Sequence, residues 1–257
     1  MMNQKSEKRN KLKPRNTGIT MMMDRGLPVG LTKDIVVSQG HLFDIAKLGF
    51  ASSRVMNSRE IRQKANIYKE GEVAIYCGGT TLESFLLEFG AEKGLEEFIC
   101  FAKKLQLKWV EVSDGTLDIA HLEKMKMIRR LKEEGFYVIS EVGKKSREED
   151  LCLEPAWWVE TTLEELSVSE YVILEAREGG TIGISTHEGN IKDDLVKEIV
   201  KIAGGCEKII FEAPNSNQQA DLIKWFGPNV NLGNIRWDDL LALETLRQGF
   251  RSETLCC

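Results

Sequence analysis

Four strand-like runs of this chain end in glutamate: LKWVE at Glu111, FYVISE at Glu141, YVILE at Glu175 and KIIFE at Glu212. Successive members lie roughly 30 to 37 residues apart, the length of one strand plus one crossover helix, so carboxylates recur at the C-terminal ends of parallel strands. In a (β/α)8 barrel that end carries the chemistry. Side chains two apart in a strand share a face, so Glu141 groups with Gly143 and, on a continued extended path, with Lys145 rather than Lys144. The same parity groups Glu175 with Arg177, Glu111 with Ser113, and Thr20 with Met22 and Asp24, while Lys47 joins from the second strand. An acidic cluster offering only oxygen suits Mg²⁺, which takes a few carboxylates with waters and substrate oxygens, and Glu111, Glu141 and Glu175 are its candidate ligands. Arg25, Lys47, Lys145 and Arg177 would neutralise a multiply anionic small substrate, Arg as a planar fork and Lys as a point charge. The same convergence also describes an ion network that merely stabilises the rim. Near the seventh and eighth strands, Gln218, Gln219 and the NLGN run (Asn231, Gly233 and Asn234 among its residues) offer amides and a closely approaching backbone for a phosphate, or are ordinary turn residues.

The elements that must position these groups are legible as eight β-rich runs: 18–23, 43–49, 72–77, 108–113, 136–142, 170–176, 208–213 and 229–235. Between them lie segments of helical period, including one from Leu82 to Leu105 and one from Leu122 to Glu134. The stretch from Ser146 to Ser169 is less regular: Pro155 suggests a loop before a short helix over Thr161–Leu166, and Trp157 and Trp158 are expected to pack between helices and barrel. A last helix should end at Gly249. The expected architecture is therefore α/β, a single (β/α)8 TIM barrel over residues 17–257, preceded by a mobile basic arm over residues 1–16.

Composition agrees with one barrel: 257 residues with 42% hydrophobic content fill a single core. A net charge of −5 and basic residues without an aromatic-interleaved stripe give no support for a nucleic-acid partner. No apolar run reaches the roughly 20 residues of a membrane span and no secretory h-region is present, so a cytoplasmic protein without a membrane partner is expected. Six cysteines without CxxC spacing read as reduced thiols, with Cys256 and Cys257 on a frayed tail. Three histidines without HExxH offer little for zinc, and neither GxxxxGKS/T nor GxGxxG occurs. The outer helix layer suggests a homo-oligomer.

Several ordered motifs then carry a resemblance. KPRNTGITMMMDRGLP from Lys13, GGTTLE from Gly78, VEVSDGT from Val110, ISEVGKK from Ile139, YVILEAREGG from Tyr171, IIFEAP from Ile209, VNLGNI from Val230 and LETLRQGFR from Leu243 resemble the phosphosulfolactate synthase family. That resemblance implies a TIM barrel performing Mg²⁺-dependent addition of sulfite to phosphoenolpyruvate, a carbon–sulfur lyase acting in the synthetic direction to give (2R)-phospho-3-sulfolactate, the first step of one route to coenzyme M. It implies that Lys145, the second lysine of EVGKK, protonates C2, with Lys144 as the fallback and Arg177 lowering its pKa. Arg25, Lys47 and Arg177 would bind phosphate and sulfite oxyanions, and Asp24 and Glu178 would orient them or complete a metal shell. The chain departs from the family after Lys47, where LGFASS replaces a GWGTS-like turn, and over 146–169. Plant relatives associated with heat stress supply the alternative, a non-catalytic interaction protein on the same barrel. A Schiff-base lyase using Lys145 is a third reading.

Overall fold

The computed structural model describes residues 8–255, and there all eight runs form parallel strands. They are β1 (Thr20–Asp24), β2 (Ile45–Leu48), β3 (Ala74–Cys77), β4 (Trp109–Ser113), β5 (Tyr137–Val142), β6 (Tyr171–Leu174), β7 (Ile209–Glu212) and β8 (Asn231–Ile235). The helices are α1 (Val29–Gln39), α2 (Ser58–Glu70), α3 (Thr80–Phe89), α4 (Ala91–Lys104), α5 (His121–Glu133), α6 (Arg147–Asp150), α7 (Pro155–Leu166), α8 (Asp193–Ala203), α9 (Ser216–Phe226) and α10 (Leu240–Arg247). The hydrogen-bonded order is β3-β2-β1-β8-β7-β6-β5-β4, a single nearly closed (β/α)8 barrel whose seam lies between β3 and β4. Across that seam the Tyr76 hydroxyl donates to Glu111 at 2.8 Å, so a side-chain bond stands where a ladder would be.

Both faces of each strand are covered, which is why the strands are almost continuously apolar. Ile19, Met21, Ile45, Tyr76, Ile139, Ile173 and Ile210 fill the barrel interior. Met22, Ala46, Leu48, Val172, Leu174, Phe211 and Leu232 point outward into the helix layer. This two-residue alternation fixes which glutamates look inward.

Three local expectations need correction. The Leu82–Leu105 segment is two helices, because Gly90 turns the chain at φ 83° and Gly94 lies so close to Phe85 that a Cβ would stand 2.6 Å from its carbonyl oxygen. Pro155 opens α7 instead of ending a loop, since the first helical turn needs no N–H from it. Trp158 is buried against the barrel, in keeping with a packing role. Residues 8–16, expected within a mobile arm, are bonded to the barrel's N-terminal face. Arg15 pairs with Asp44 at 2.8 Å, and Lys13 donates to the carbonyls of Gly40, Gly71 and Glu72. The rest of the expected arm, and the Cys256–Cys257 tail, lie outside the described residues. No helix among the described residues is long and apolar enough to cross a membrane.

Candidate active site

The inward alternation delivers Lys47 from β2, Glu111 from β4, Glu141 from β5 and Glu212 from β7 to one level of the barrel. Lys47 Nζ stands 2.9 Å from Glu111, 2.8 Å from Glu141 and 3.6 Å from Glu212. Glu175, one residue beyond β6, completes the arc. Above them a cavity of about 460 Å³ is lined by Lys47, Glu141, Lys145, Glu175, Arg177 and Glu212, among others. Its size suits a small metabolite.

Lys145 reaches this group as its parity with Glu141 implied, although by a turn. Gly143 adopts φ 131°, and a Cβ there would collide with Glu175 at 2.6 Å, so only glycine lets the chain bend and the carboxyl close in. The Lys145 main chain is then fixed twice, donating to the Gly115 carbonyl at 3.0 Å and accepting from Arg177 Nη1 at 3.0 Å. Its ammonium lies 3.0 Å from Glu141 and 3.7 Å from Glu175. Lys144 points away, to the Asp114 carbonyl at 2.9 Å and its carboxylate at 3.1 Å.

Electrostatics divide the carboxyls by neighbour. Burial opposes charge on Glu141, but Lys145 and Lys47 outweigh it and hold that carboxyl well below its usual range. Burial, then the charges of Glu141 and Glu212, push Glu175 well above it. Burial also raises Glu111, against the pull of Lys47. For Lys47 and Lys145 desolvation favours the neutral amine, yet the surrounding glutamates prevail and both ammonium groups are stabilised. The cation that pulls Lys145 down is Lys47. Arg177, expected in that role, bonds the Lys145 carbonyl.

The remaining expected residues divide between the mouth and elsewhere. Arg177 and Asn234 line the cavity, and Asn234 is turned inward at φ 60° where the β1–β8 register slips. Arg25 is exposed, with its guanidinium 5.3 Å from the Phe50 ring, and does not line the cavity. Gln219 donates to the Ala213 carbonyl at 3.0 Å, and Gln218 clasps the β6–α8 loop through Gly180, Ser185 and Gly189. Asn231 begins β8, at the opposite end of the barrel, where it accepts from Ile19 N–H and donates to the carbonyls of Glu207 and Ile209. Gly233 makes room for Met21 in the interior. Asp24 faces the helix layer, held by Lys64 and by the Tyr68 hydroxyl at 2.7 Å. A phosphate cradle at Gln219, Asn231 and Gly233 is therefore not what this arrangement provides. Glu212, seen in the strand series but left out of the ligand set, lines the cavity, and its identical position at the end of β7 was the available signal. The departure after Lys47 also falls at the mouth, where Gly49 and Phe50 line the cavity.

As a metal site the mouth is chemically apt but already cross-linked. Glu175 keeps a buried carboxylate oxygen without a hydrogen-bond partner, and all the acidic donors are hard oxygens. Among the described residues no three acidic, histidine or cysteine groups converge as a ready cage, because the two ammonium groups stand between the carboxylates. Glu111 suits a metal least: it is fully buried, does not line the cavity, and is bound by Tyr76, the Gly79 N–H and Lys47.

Comparison with known proteins places this geometry. The chain is 37% identical over 240 residues to the phosphosulfolactate synthase of Methanocaldococcus jannaschii, covering 92% of this chain and 93% of that one. It is 25% identical over 255 residues to Protein HEAT-STRESS-ASSOCIATED 32 of Arabidopsis thaliana, covering 91% and 87%. In structure it is similar to 3-keto-L-gulonate-6-phosphate decarboxylase of Vibrio cholerae (TM-score 0.58, 9% identity, 91% of this chain and 99% of that one), a likeness of fold. The profile of the (2R)-phospho-3-sulfolactate synthase (ComA) family matches residues 8–253, and the chain belongs to that family.

Proposed function

We propose that this chain catalyses Mg²⁺-dependent addition of sulfite to C3 of phosphoenolpyruvate, giving (2R)-phospho-3-sulfolactate. The observation that carries the reading is Lys145, fixed at its main chain and held charged beside Glu141 and Glu175 in the family's barrel mouth. The sulfur lone pair forms the C3–S bond, the C2=C3 pair moves toward C2 and the carboxylate, and a proton closes the C2–H bond while the phosphate ester stays intact. Lys145 supplies that proton. Its raised pKa makes it a reluctant acid toward water, but the charge developing on C2 is far more basic than an amine, so transfer is downhill. The fixed backbone of Lys145 presents one face of C2, which accounts for a single product configuration.

Arg177 and Lys47 offer the substrate's oxyanions their positive charge. Glu141, Glu175 and Glu212, each lining the cavity, would hold Mg²⁺. When bound, the ion supplies Lewis-acid stabilisation to negative charge on the substrate carboxylate. A binding-only relative would have no use for a charged lysine clamped beside two cavity-lining carboxylates, so the interaction-protein reading is not favoured. We read the setting as the cytoplasm, where phosphoenolpyruvate is made, and the helix layer as the surface of a homo-oligomer.

The test is mass-spectrometric detection of phosphosulfolactate after mixing the protein with phosphoenolpyruvate and sulfite, with Mg²⁺ or with EDTA. Product that requires Mg²⁺ supports the proposal. A folded protein that makes none under either condition overturns it.

A further inference from the structure

The inward face of α5 carries a cation among apolar residues. Lys124 recurs with Ile128 and Leu131 at helical spacing, and all three are buried. A lysine at 1% exposure needs its charge paired and its protons bonded. Its ammonium has three protons and meets three acceptors: the Asp114 carboxylate at 2.7 Å, the Glu165 carboxylate of α7 at 2.7 Å and the main-chain carbonyl of Glu141 at 2.6 Å. Burial opposes the charge, but Glu165 and Asp114 outweigh it and keep Lys124 protonated. Burial also opposes charge on Asp114, where Lys124 and then Lys144 prevail and hold the carboxyl below its usual range. Glu165 is raised by burial in spite of Lys124, so Asp114 is the firmer anion of the two.

Two of these partners adjoin the points from which Lys145 is held. Gly115, next to Asp114, takes the Lys145 N–H on its carbonyl at 3.0 Å. A Cβ on Gly115 would stand 3.1 Å from Cγ, Cδ and Cε of Lys145, so the same loop is the wall along which that side chain lies. Glu141 holds the Lys145 ammonium at 3.0 Å. The last paired residues of β4 and β5 are Ser113 and Glu141, and beyond them Lys124 ties the β4–α5 loop to the end of β5 from within. Glu83 of α3 fixes the rest of the loop, accepting from Ser113 Oγ at 2.5 Å and from the N–H groups of Thr116 and Leu117 at 2.8 and 2.6 Å. Gly115 and Thr116 line the cavity, whereas Lys124 and Asp114 do not.

We propose that Lys124 is a positioning residue for the reaction assigned to the mouth, acting through Asp114 and the Glu141 carbonyl to fix where the Lys145 ammonium stands; the inference rests on that reaction. Lys124 touches no substrate. It sets the spacing between the loop that carries Gly115 and the strand end that carries Glu141, and Lys145 is bonded to both. Lys144 also reaches Asp114, at 3.1 Å, but its ammonium is partly exposed and it does not bond the end of β5. Loss of the buried tie lets Lys145 drift from C2, and a displacement of about 1 Å can cost about a hundredfold in rate. Substrate binding, which uses other groups of the cavity, is left nearly intact.

The test is a steady-state comparison of wild type, Lys124→Met, Lys124→Arg, Lys145→Ala and the double variant Lys124→Met/Lys145→Ala, with phosphoenolpyruvate, sulfite and Mg²⁺, each protein first checked for folding by circular dichroism. Lys124→Met should lower kcat by about ten- to a hundredfold with KM for phosphoenolpyruvate within about twofold of wild type, and Lys124→Arg should recover most of that loss. In the Lys145→Ala background Lys124→Met should change the residual rate by less than about twofold, because an absent acid cannot be misplaced. Where Lys124→Met fails to fold, Asp114→Ala, which leaves Lys124 its Glu165 partner, is carried through the same comparison with and without Lys145. Wild-type kcat in a folded Lys124→Met, or a loss of equal size with and without Lys145, overturns this inference and leaves the assigned reaction standing. A wild type that forms no product overturns the reaction and the inference together.

Discussion

The two ends of this barrel handle buried charge in opposite ways. At the C-terminal mouth, cations are compensated by side chains: Lys47 and Lys145 are surrounded by Glu111, Glu141, Glu175 and Glu212. At the N-terminal face Arg9 and Arg247 are compensated mostly by main chain, through the carbonyls of Gly18, Ile19, Pro228 and Val230. Carboxylates titrate, carry a full charge that can be traded between a lysine and a metal, and can release a lysine to a substrate; a main-chain carbonyl neither titrates nor carries net charge. The mouth is therefore an exchangeable network suited to chemistry, and the base is a fixed clasp around the chain's N-terminal segment.

The contrast can be broken most sharply at Lys145. Lys145→Ala should lower kcat by about 10²- to 10⁴-fold, the range for losing a positioned general acid, with an unchanged circular-dichroism spectrum. Next, Lys47→Met should strand Glu111, Glu141 and Glu212 without their shared ammonium. Breaking a buried ion network from one side costs about 3–5 kcal/mol, which urea unfolding would measure. At the base, Arg9→Met removes the Glu244 partner and should cost about 1.5–3 kcal/mol by the same assay, the worth of hydrogen bonds to a charged group.

A smaller effect tests the exchangeable character of the mouth. Glu175 has a raised pKa, so the folded state keeps its proton where the unfolded chain has lost it. The stability this provides is full below the usual glutamate value of about 4.3 and is lost as pH rises toward the raised value. Relative to Glu175→Gln, the wild type should lose up to about 1.4 kcal/mol per pH unit across that window, seen as diverging unfolding temperatures. Smallest of all, Lys144→Ala should change stability by less than about 1 kcal/mol, because its bond to Asp114 is partly solvated.

Much of this was legible in the sequence, for physical reasons. The strands read clearly because both their faces are buried, and the alternation of Ile139 with Glu141 or Ile173 with Glu175 states which carboxyl looks inward. The same rule preferred Lys145 over Lys144 on a continued extended path, but β5 ends at Val142 and it is the turn at Gly143, φ 131°, that brings Lys145 to the mouth. Asn231 was misread because composition does not say which end of a short strand a polar residue occupies; it opens β8. Asp24 was misread because β1 turns its odd-numbered methionines inward, and a run of three methionines carries no parity signal. The N-terminal clasp was hidden because Arg9 and Glu244 are distant in sequence, and a basic, core-poor segment looks mobile until its partners are known.

The most direct test of the central claim is the rate of conversion of phosphoenolpyruvate and sulfite, followed by phosphorus NMR with Mg²⁺ present, for wild type, Lys144→Ala and Lys145→Ala side by side. The account predicts one new phosphate-ester resonance at similar rates for wild type and Lys144→Ala, and a rate lower by about a hundredfold or more for Lys145→Ala. Equal turnover by Lys145→Ala and wild type, or a collapse confined to Lys144→Ala, would contradict it.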